Sequence, residues 1–345
     1  RAPATETGLY QLSEVVKPKS ALPPGSGLRG KGHYTAMVDE LATANADKAV
    51  PGPQPNFSGN DYDNNGSNTG GFRFIPPDNH IAAGIGHIVT ATNVTLQWHT
   101  NVATPVQQYN QSLRTFFSSL SPPVNNFTFD PKVIYDPYSN RFVVLSMERQ
   151  DTADGDPANT SRLLVAVSDD GDPNGIWRYT AINSKINISG VDRWADFPGF
   201  AADEEAVYIS ANIFGFGASG TYAGVRLWVI PKSTFYAGQA PTISVINPHA
   251  GLANGGNTTQ LTRMAGTAPA GVGIWLVATG WNSGASDQIR VLRIDNPALP
   301  ILFLTGHGSI PMSVRAMRMS SSVSRSSGRR RGRSQSLSRL RMRSY

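Results

Sequence analysis

Short apolar runs separated by polar turns set the pattern of this chain. Residues 132–135, 141–147, 162–167 and 177–182 are each such a run. They are too short for ordinary helices and rich in the branched and aromatic residues that favour strands. Between the first two lies Asp136-Pro137-Tyr138-Ser139-Asn140. Proline presets φ there, and the Asp and Asn side chains bond nearby backbone, so the stretch predicts a turn. Four short strands joined by polar turns predict one antiparallel sheet.

The unit recurs. HIAAGIGHIVTATN, KVIYDPYSNRFVVLSM, GFAADEEAVYISANIF and GVGIWLVATGWN each set a turn before an apolar strand. Later strands carry Trp98, Trp177 and Trp228. The repeats begin roughly 50 to 70 residues apart, a spacing that suits propeller blades with long loops. Such a sheet cannot bury both faces alone, so the units must stack around an axis. The expected fold is all-β, a β-propeller of four-stranded antiparallel blades over residues 72–306. About four units are visible where propellers carry four to eight, so one reading leaves the ring incomplete at its C-terminal end.

Residues 1–71 are rich in Pro, Gly, Asn and Ala. They read as an extended N-terminal arm, with one weak helix pattern over residues 33–49 that Pro51-Gly52-Pro53 would stop. Residues 307–345 lose the β pattern and become an Arg/Ser-rich tail. Three readings stand for it: a disordered basic arm that binds nucleic acid, a solvated tail without a role, or an artefactual end in a wrong reading frame.

Charge changes the picture only through that tail. The chain has 30 basic and 24 acidic residues, a formal net charge of +6. Residues 311–345 hold ten of the arginines and no acid, so the rest of the chain stands at −4. A basic total therefore does not mean a basic folded surface. Before the tail there is no basic stripe and no interleaved aromatic platform, the usual signs of a nucleic-acid surface. No run approaches the roughly 18 apolar residues of a membrane span. The chain has no cysteine, which excludes disulfides, thiolate metal sites and a cysteine nucleophile.

Ser168-Asp169-Asp170-Gly171 followed by Trp177 resembles the Asp-box of sialidase-like propellers, with extra residues before the Trp and Ile176 where the Thr belongs. In that family the motif is a structural turn between outer strands. Pro76-Pro77-Asp78, the FDPKVIYD…RFVV run, the S…DP.G.W turn and DFPGF together resemble a group of secreted bacterial β-propeller proteins. The resemblance covers about residues 74–304. It implies a secreted or cell-surface location and recognition of a glycan or another extracellular ligand. It supplies no catalytic set. Sialidases proper use three arginines and a Tyr-Glu pair. Here Arg73, Arg141, Arg193 and Arg226 are scattered over the blades, with Tyr135 as the one candidate tyrosine.

Propeller ligands usually sit at the mouth of the central channel, on loops that lead into the innermost strands. Those loops would place Asp78, Asn79 and His80 from one unit, Asp130 and Lys132 from the next, and Asp192, Arg193, Trp194 and Asp196 from a third. Carboxylates accept sugar hydroxyls, and an aromatic face stacks on a sugar ring. Two carboxylates about 5 to 9 Å apart would suit glycoside hydrolysis. The plainer reading makes each Asp the cap of a turn.

Asp61, Asp63 and Asn65 have the oxygen spacing of a calcium loop, with Gly66 for the bend, but Phe72 stands where an EF-hand would place its bidentate Glu. A structural calcium ion and a plain Asn/Gly-rich surface loop are the two readings. His80, His87 and His99 match no metal-site spacing. Asn93 opens one of several Asn-x-Ser/Thr triplets, which an Asn- and Thr-rich chain produces by chance. The leading expectation is a secreted or surface propeller that binds a glycan. A sialidase-like hydrolase and a non-catalytic protein-interaction scaffold are the alternatives. Oligomeric state is open.

Overall fold

The computed structural model describes residues 9–11 and 57–311, except 126, 218–219, 251–255, 264–265, 269–270, 281–287, 296 and 298–302. All of these belong to one compact unit spanning Arg1–Met312. The helix pattern at 33–49 and the tail beyond Pro311 lie outside the described residues.

Strand β1 (Leu9–Gln11) pairs in parallel with β2 (Arg73–Ile75). Four antiparallel sheets follow in chain order. Blade 1 is β3 (His80–Ala83), β4 (His87–Thr92), β5 (Thr95–Thr100) and β6 (Gln107–Ser112). Blade 2 is β7 (Thr128–Asp136), β8 (Arg141–Gln150), β9 (Thr160–Ser168) and β10 (Trp177–Asn183). Blade 3 adds a leading strand: β11 (Ile186–Ile188), β12 (Val191–Ala202), β13 (Ala206–Gly215), β14 (Tyr222–Pro231) and β15 (Ser244–Ile246). Blade 4 is β16 (Gly256–Leu261), β17 (Val272–Gly280), β18 (Gln288–Asp295) and β19 (Phe303–Pro311). The last strand runs past residue 306, where the sequence pattern predicts the β domain to end.

Within each sheet the strands neighbour in chain order, and the first long strands contact one another in the order β3, β7, β12, β16. First strand against first strand is the radial order of a β-propeller, with those strands at the hub. Among the described residues no helix is long and apolar enough to cross a membrane. The helices among the described residues are single turns or little more: α1 (Tyr62–Asn68), α2 (Leu113–Phe116) and α3 (Lys232–Phe235).

The core is three seams, one per blade junction, and side-chain alternation explains them. On β8, Phe142 and Val144 face blade 1, and Val143, Leu145 and Met147 face blade 3. On β13, Val207, Ile209 and Ala211 face blade 2, and Ala206 and Tyr208 face blade 4. Middle blades are packed on both sides, so their strands read as unbroken apolar runs. Trp98 and Trp177, predicted as equivalent aromatics of two units, meet in the seam of blades 1 and 2 at 6.0 Å, with Phe116 edge-on to Trp177 at 5.0 Å. Burying one such side chain is worth roughly 1.5–3 kcal/mol.

Blade 1 differs. Val89, Ala91, Leu96 and Trp98 face blade 2. The alternate residues on the other face are mixed: Ile81, Thr90, Gln97 and Asn110 are directly paired across the four strands. Gln97 and His99 are buried there, and Phe57 lies 4.3 Å from the His99 ring.

Each hub strand of blades 2 to 4 carries a register shift: at Phe129/Lys132, Asp196/Gly199 and Asn257/Gln260. Asp130, Phe197 and Thr258 sit inside those shifts with φ of 44°, 54° and 47°, and Asp78 before β3 has 43°. Such bulges re-aim the chain where a strand enters. The shift at Asp196/Gly199 leaves Phe197 and Pro198 out of the pairing, which resumes at Gly199 opposite Ser210, so DFPGF is strand despite its Pro.

Candidate binding site

One buried amide gathers the strand entries of blades 1 and 2. Asn93 is fully buried at the β4–β5 turn. Its Nδ2 donates to the Asp78 Oδ2 and to the Pro76 carbonyl, both at 2.8 Å. Its Oδ1 accepts the Asp130 amide at 2.8 Å, and its own carbonyl accepts the Asn65 Nδ2 at 2.7 Å. The Asp78 carboxylate before β3 and the Asp130 backbone in the β7 bulge are thus tied to one point by Asn93. His80 continues the junction: its Nδ1 lies 3.2 Å from the Val133 amide and 2.9 Å from the Val133 carbonyl. Burial, and then the nearby Lys132 charge, lower the His80 pKa from its usual value.

The candidates on β12 have other duties. Asp192 accepts from Asn187 Nδ2 at 2.9 Å and lies 3.5 Å from Lys185 Nζ, within its own hairpin. Arg193 donates to the Thr221 carbonyl at 3.2 Å. Asp196 is 1% exposed. Trp194 is 2% exposed; its indole N–H donates to the Gly215 carbonyl at 2.8 Å, and the Arg149 guanidinium covers its ring at 4.1 Å. A sugar cannot stack on a face already covered, so the expected role of Trp194 is corrected to a core anchor between blades 2 and 3.

The stretch read as a calcium loop is helix α1. Asp61 is its N-cap and accepts the Asn64 amide at 2.7 Å. Asp63 pairs with Arg73 at 3.1 Å, and Asn65 turns inward to Asn93 and Thr95. The expected shared centre of Asp61, Asp63 and Asn65 is therefore not formed, because a helical backbone fans out side chains that a looped one would converge. Among the described residues no three His, Cys, Asp or Glu side chains are grouped as metal ligands.

The Asp-box-like turn lies between β9 and β10, the outer strands of blade 2. Asp169 Oδ1 accepts the Ile176 amide at 3.0 Å, Asp170 Oδ1 the Asp172 amide at 2.7 Å, and Trp177 donates to the Pro173 carbonyl at 2.8 Å. The arginines do not converge either. Arg141 donates to the Ser168 and Tyr236 carbonyls, and Arg226 to the Val225 carbonyl.

A cavity of about 780 Å³ opens beside Asn93. Phe72, Phe74 and Phe127 give it aromatic surface, and Asn68, Thr69 and Thr128 add amide and hydroxyl groups. Val94 of the β4–β5 turn lies beneath, and α2 supplies Ser112, Arg114 and Thr115. The remaining wall, around Pro123 and Val124, is pinned to blade 2. Arg162 donates to the Pro122 and Pro123 carbonyls at 2.8 and 3.0 Å and pairs with Glu148, whose Oε1 accepts the Asn125 amide at 2.6 Å. None of the residues expected to line a site lines this cavity. The sequence signal for it was slight: FRF at 72–74 and NFTF at 126–129, aromatics alternating with polar residues just before two hub strands.

The fold and the cavity define an all-β propeller with a concave site next to two strand entries. No family model matches the chain, and no curated protein matches it. Similar solved structures include a GH43 endo-arabinanase from Bacillus licheniformis, at 14% identity over 68% of this chain and 78% of that one, with a TM-score of 0.34. An exo-1,5-alpha-L-arabinanase from a bovine ruminal metagenomic library is 11% identical over 63% of this chain and 69% of that one, with a TM-score of 0.35. A GH43_1 enzyme from Xanthomonas citri complexed with xylose is 14% identical over 68% and 73%, with a TM-score of 0.31.

Proposed function

We propose that this chain is a secreted or cell-surface propeller that binds a glycan in the cavity beside Asn93, without hydrolysing it. The observation that carries the reading is the cavity's chemistry. Its size falls within the usual range for small-ligand sites. Phenylalanine faces suit the C–H side of a sugar ring, and the Asn and Thr side chains around them suit its hydroxyls. Hydrolysis would require two carboxylates flanking one bond. Among the described residues the cavity lining holds no acid, and the Asp78 and Asp192 carboxylates accept from Asn93 and Asn187. A sialidase-like activity would also need convergent arginines, and here Arg141, Arg193 and Arg226 donate to separate carbonyls while Arg73 pairs with Asp63. Calorimetric titration with a panel of neutral and charged oligosaccharides tests the reading. At least one should bind, and Phe127→Ala should weaken it about tenfold or more, the loss of one well-packed aromatic contact. Binding by no oligosaccharide, or binding indifferent to Phe127, overturns it.

A further inference from the structure

We infer that the sugar taken by this cavity is an acidic one, a uronate whose carboxylate is held by Arg114. The inference rests on the glycan reading and narrows it to a chemical class.

Among the described residues Arg114 is the one charged residue of the cavity lining. It is exposed, and among the described residues it has no ion pair. The neighbouring charges are already matched. Glu148 pairs with Arg162 behind the wall, and Asp63 pairs with Arg73 at the other side of α1. The cavity therefore carries one uncompensated positive charge at its rim and aromatic surface within.

The backbone fixes where that charge stands. Ser112 caps α2 by accepting the Thr115 amide at 3.1 Å, and its hydroxyl also meets the Thr115 hydroxyl at 2.9 Å. Leu113 and Phe116, on either side of Arg114, are buried in the seam of blades 1 and 2. Arg114 thus stands on an anchored turn while its own side chain stays in water.

A guanidinium presents a planar fork of donors that fits a carboxylate at two points. A single such group balances a single negative charge, which matches one carboxylate on one sugar ring. A neutral sugar would leave the charge unused.

The test compares tri-galacturonate with galactotriose by calorimetry, on the whole chain, at low and moderate salt. The uronate should bind about tenfold or more tightly than the neutral trisaccharide, as one charge-assisted pair allows. The advantage should shrink with salt. Arg114→Gln should collapse the ratio towards one, and Arg114→Lys should keep part of it. Equal binding of both sugars by the unaltered chain, or a ratio that survives Arg114→Gln, overturns the uronate inference and leaves the glycan reading standing. Binding of neither sugar overturns the uronate inference as well, and failure across the wider panel removes the glycan reading too.

Discussion

Lys232 Nζ lies 2.6 Å from the Asp136 Oδ2, and both side chains are almost wholly buried. The contact joins the start of α3, just after β14 of blade 3, to the end of β7 in blade 2. Tyr236 donates to the same Asp136 oxygen at 2.8 Å, and Lys232 also reaches the Asp203 carbonyl at 2.6 Å. Asp136 and Asp203 occupy matching turns after the hub strands of successive blades. Removing one member of such a pair strands the other in a dry site. Lys232→Met should destabilise the chain by about 3–5 kcal/mol. Lys232→Met with Asp136→Leu should recover much of that loss, because neither charge of the pair is then left buried alone. Urea unfolding of the two variants checks both statements.

Asn93 should behave as a structural hinge pin for the strand entries. Asn93→Ala removes the acceptor of the Asp130 amide and the donor to Asp78. A buried amide left without its acceptor costs about 1–3 kcal/mol. Thermal unfolding should register the loss. Asn212 holds the equivalent place at the next-but-one junction, where its Oδ1 accepts the Thr258 amide at 3.1 Å, so Asn212→Ala should show a smaller effect of the same sign.

Acid should weaken this fold through its buried histidines. The His249 pKa is lowered from 6.5 to about 4, first by burial and then by the Arg290 charge. Its Nε2 meets the Thr259 hydroxyl at 2.7 Å and its Nδ1 faces Arg290. The neutral ring with its proton on Nε2 satisfies both contacts. The unfolded chain then binds more protons than the folded one below about pH 6.5, so stability rises with pH in this window. The contribution is whole above pH 6.5 and is lost as pH falls towards about 4. Unfolding free energies measured between those limits should fall with acid, and His249→Gln should flatten the slope.

The Arg162–Glu148 pair should matter to the cavity as well as to stability. Arg162→Met leaves the Glu148 carboxylate buried and frees the Pro122–Pro123 carbonyls. A loss of about 3–5 kcal/mol is expected from the unpaired charge. Oligosaccharide affinity should fall in the same variant, because one wall loses its anchor. Loss of stability with affinity intact would show that the wall holds itself.

Gly84 packs against blade 2 so closely that a Cβ there would stand 2.7 Å from Phe142 Cζ and 2.9 Å from Tyr135 Cε2. Phe142 is fully buried and cannot yield freely. Gly84→Ala should cost about 1–3 kcal/mol by overpacking, readable as a lowered unfolding midpoint.

Much of the fold was legible in the sequence because the strands of blades 2 and 3 are apolar on both faces. Runs such as 141–147 and 206–212 therefore stand out from their turns, and the observed strands enclose them. The entries to the hub strands were less legible. DFPGF reads as a turn by composition, and only the pairing across the bulge at Asp196/Gly199 makes it strand. The candidate site was legible only in part. Asp78, His80 and Asp130 do meet at one junction, but their shared partner, Asn93, sits in a triplet that reads as noise. Trp194 looked like a stacking platform because sequence shows an aromatic near a strand entry and not the Arg149 that covers it. The cavity is assembled from α1, β2, α2 and a loop far apart in the chain, so no local pattern announces it.

The two-sidedness of blade 1 has a consequence for assembly. On its Thr90, Gln97 and His99 side the Phe57 ring lies against His99, while among the described residues neither end of the buried Gln97 amide has a partner. Whatever segment meets that side must arrive with donors and acceptors in register. The array is thereby given a polarity: its seams are greasy between blades, and its starting edge mixes apolar contact with an amide still to be matched.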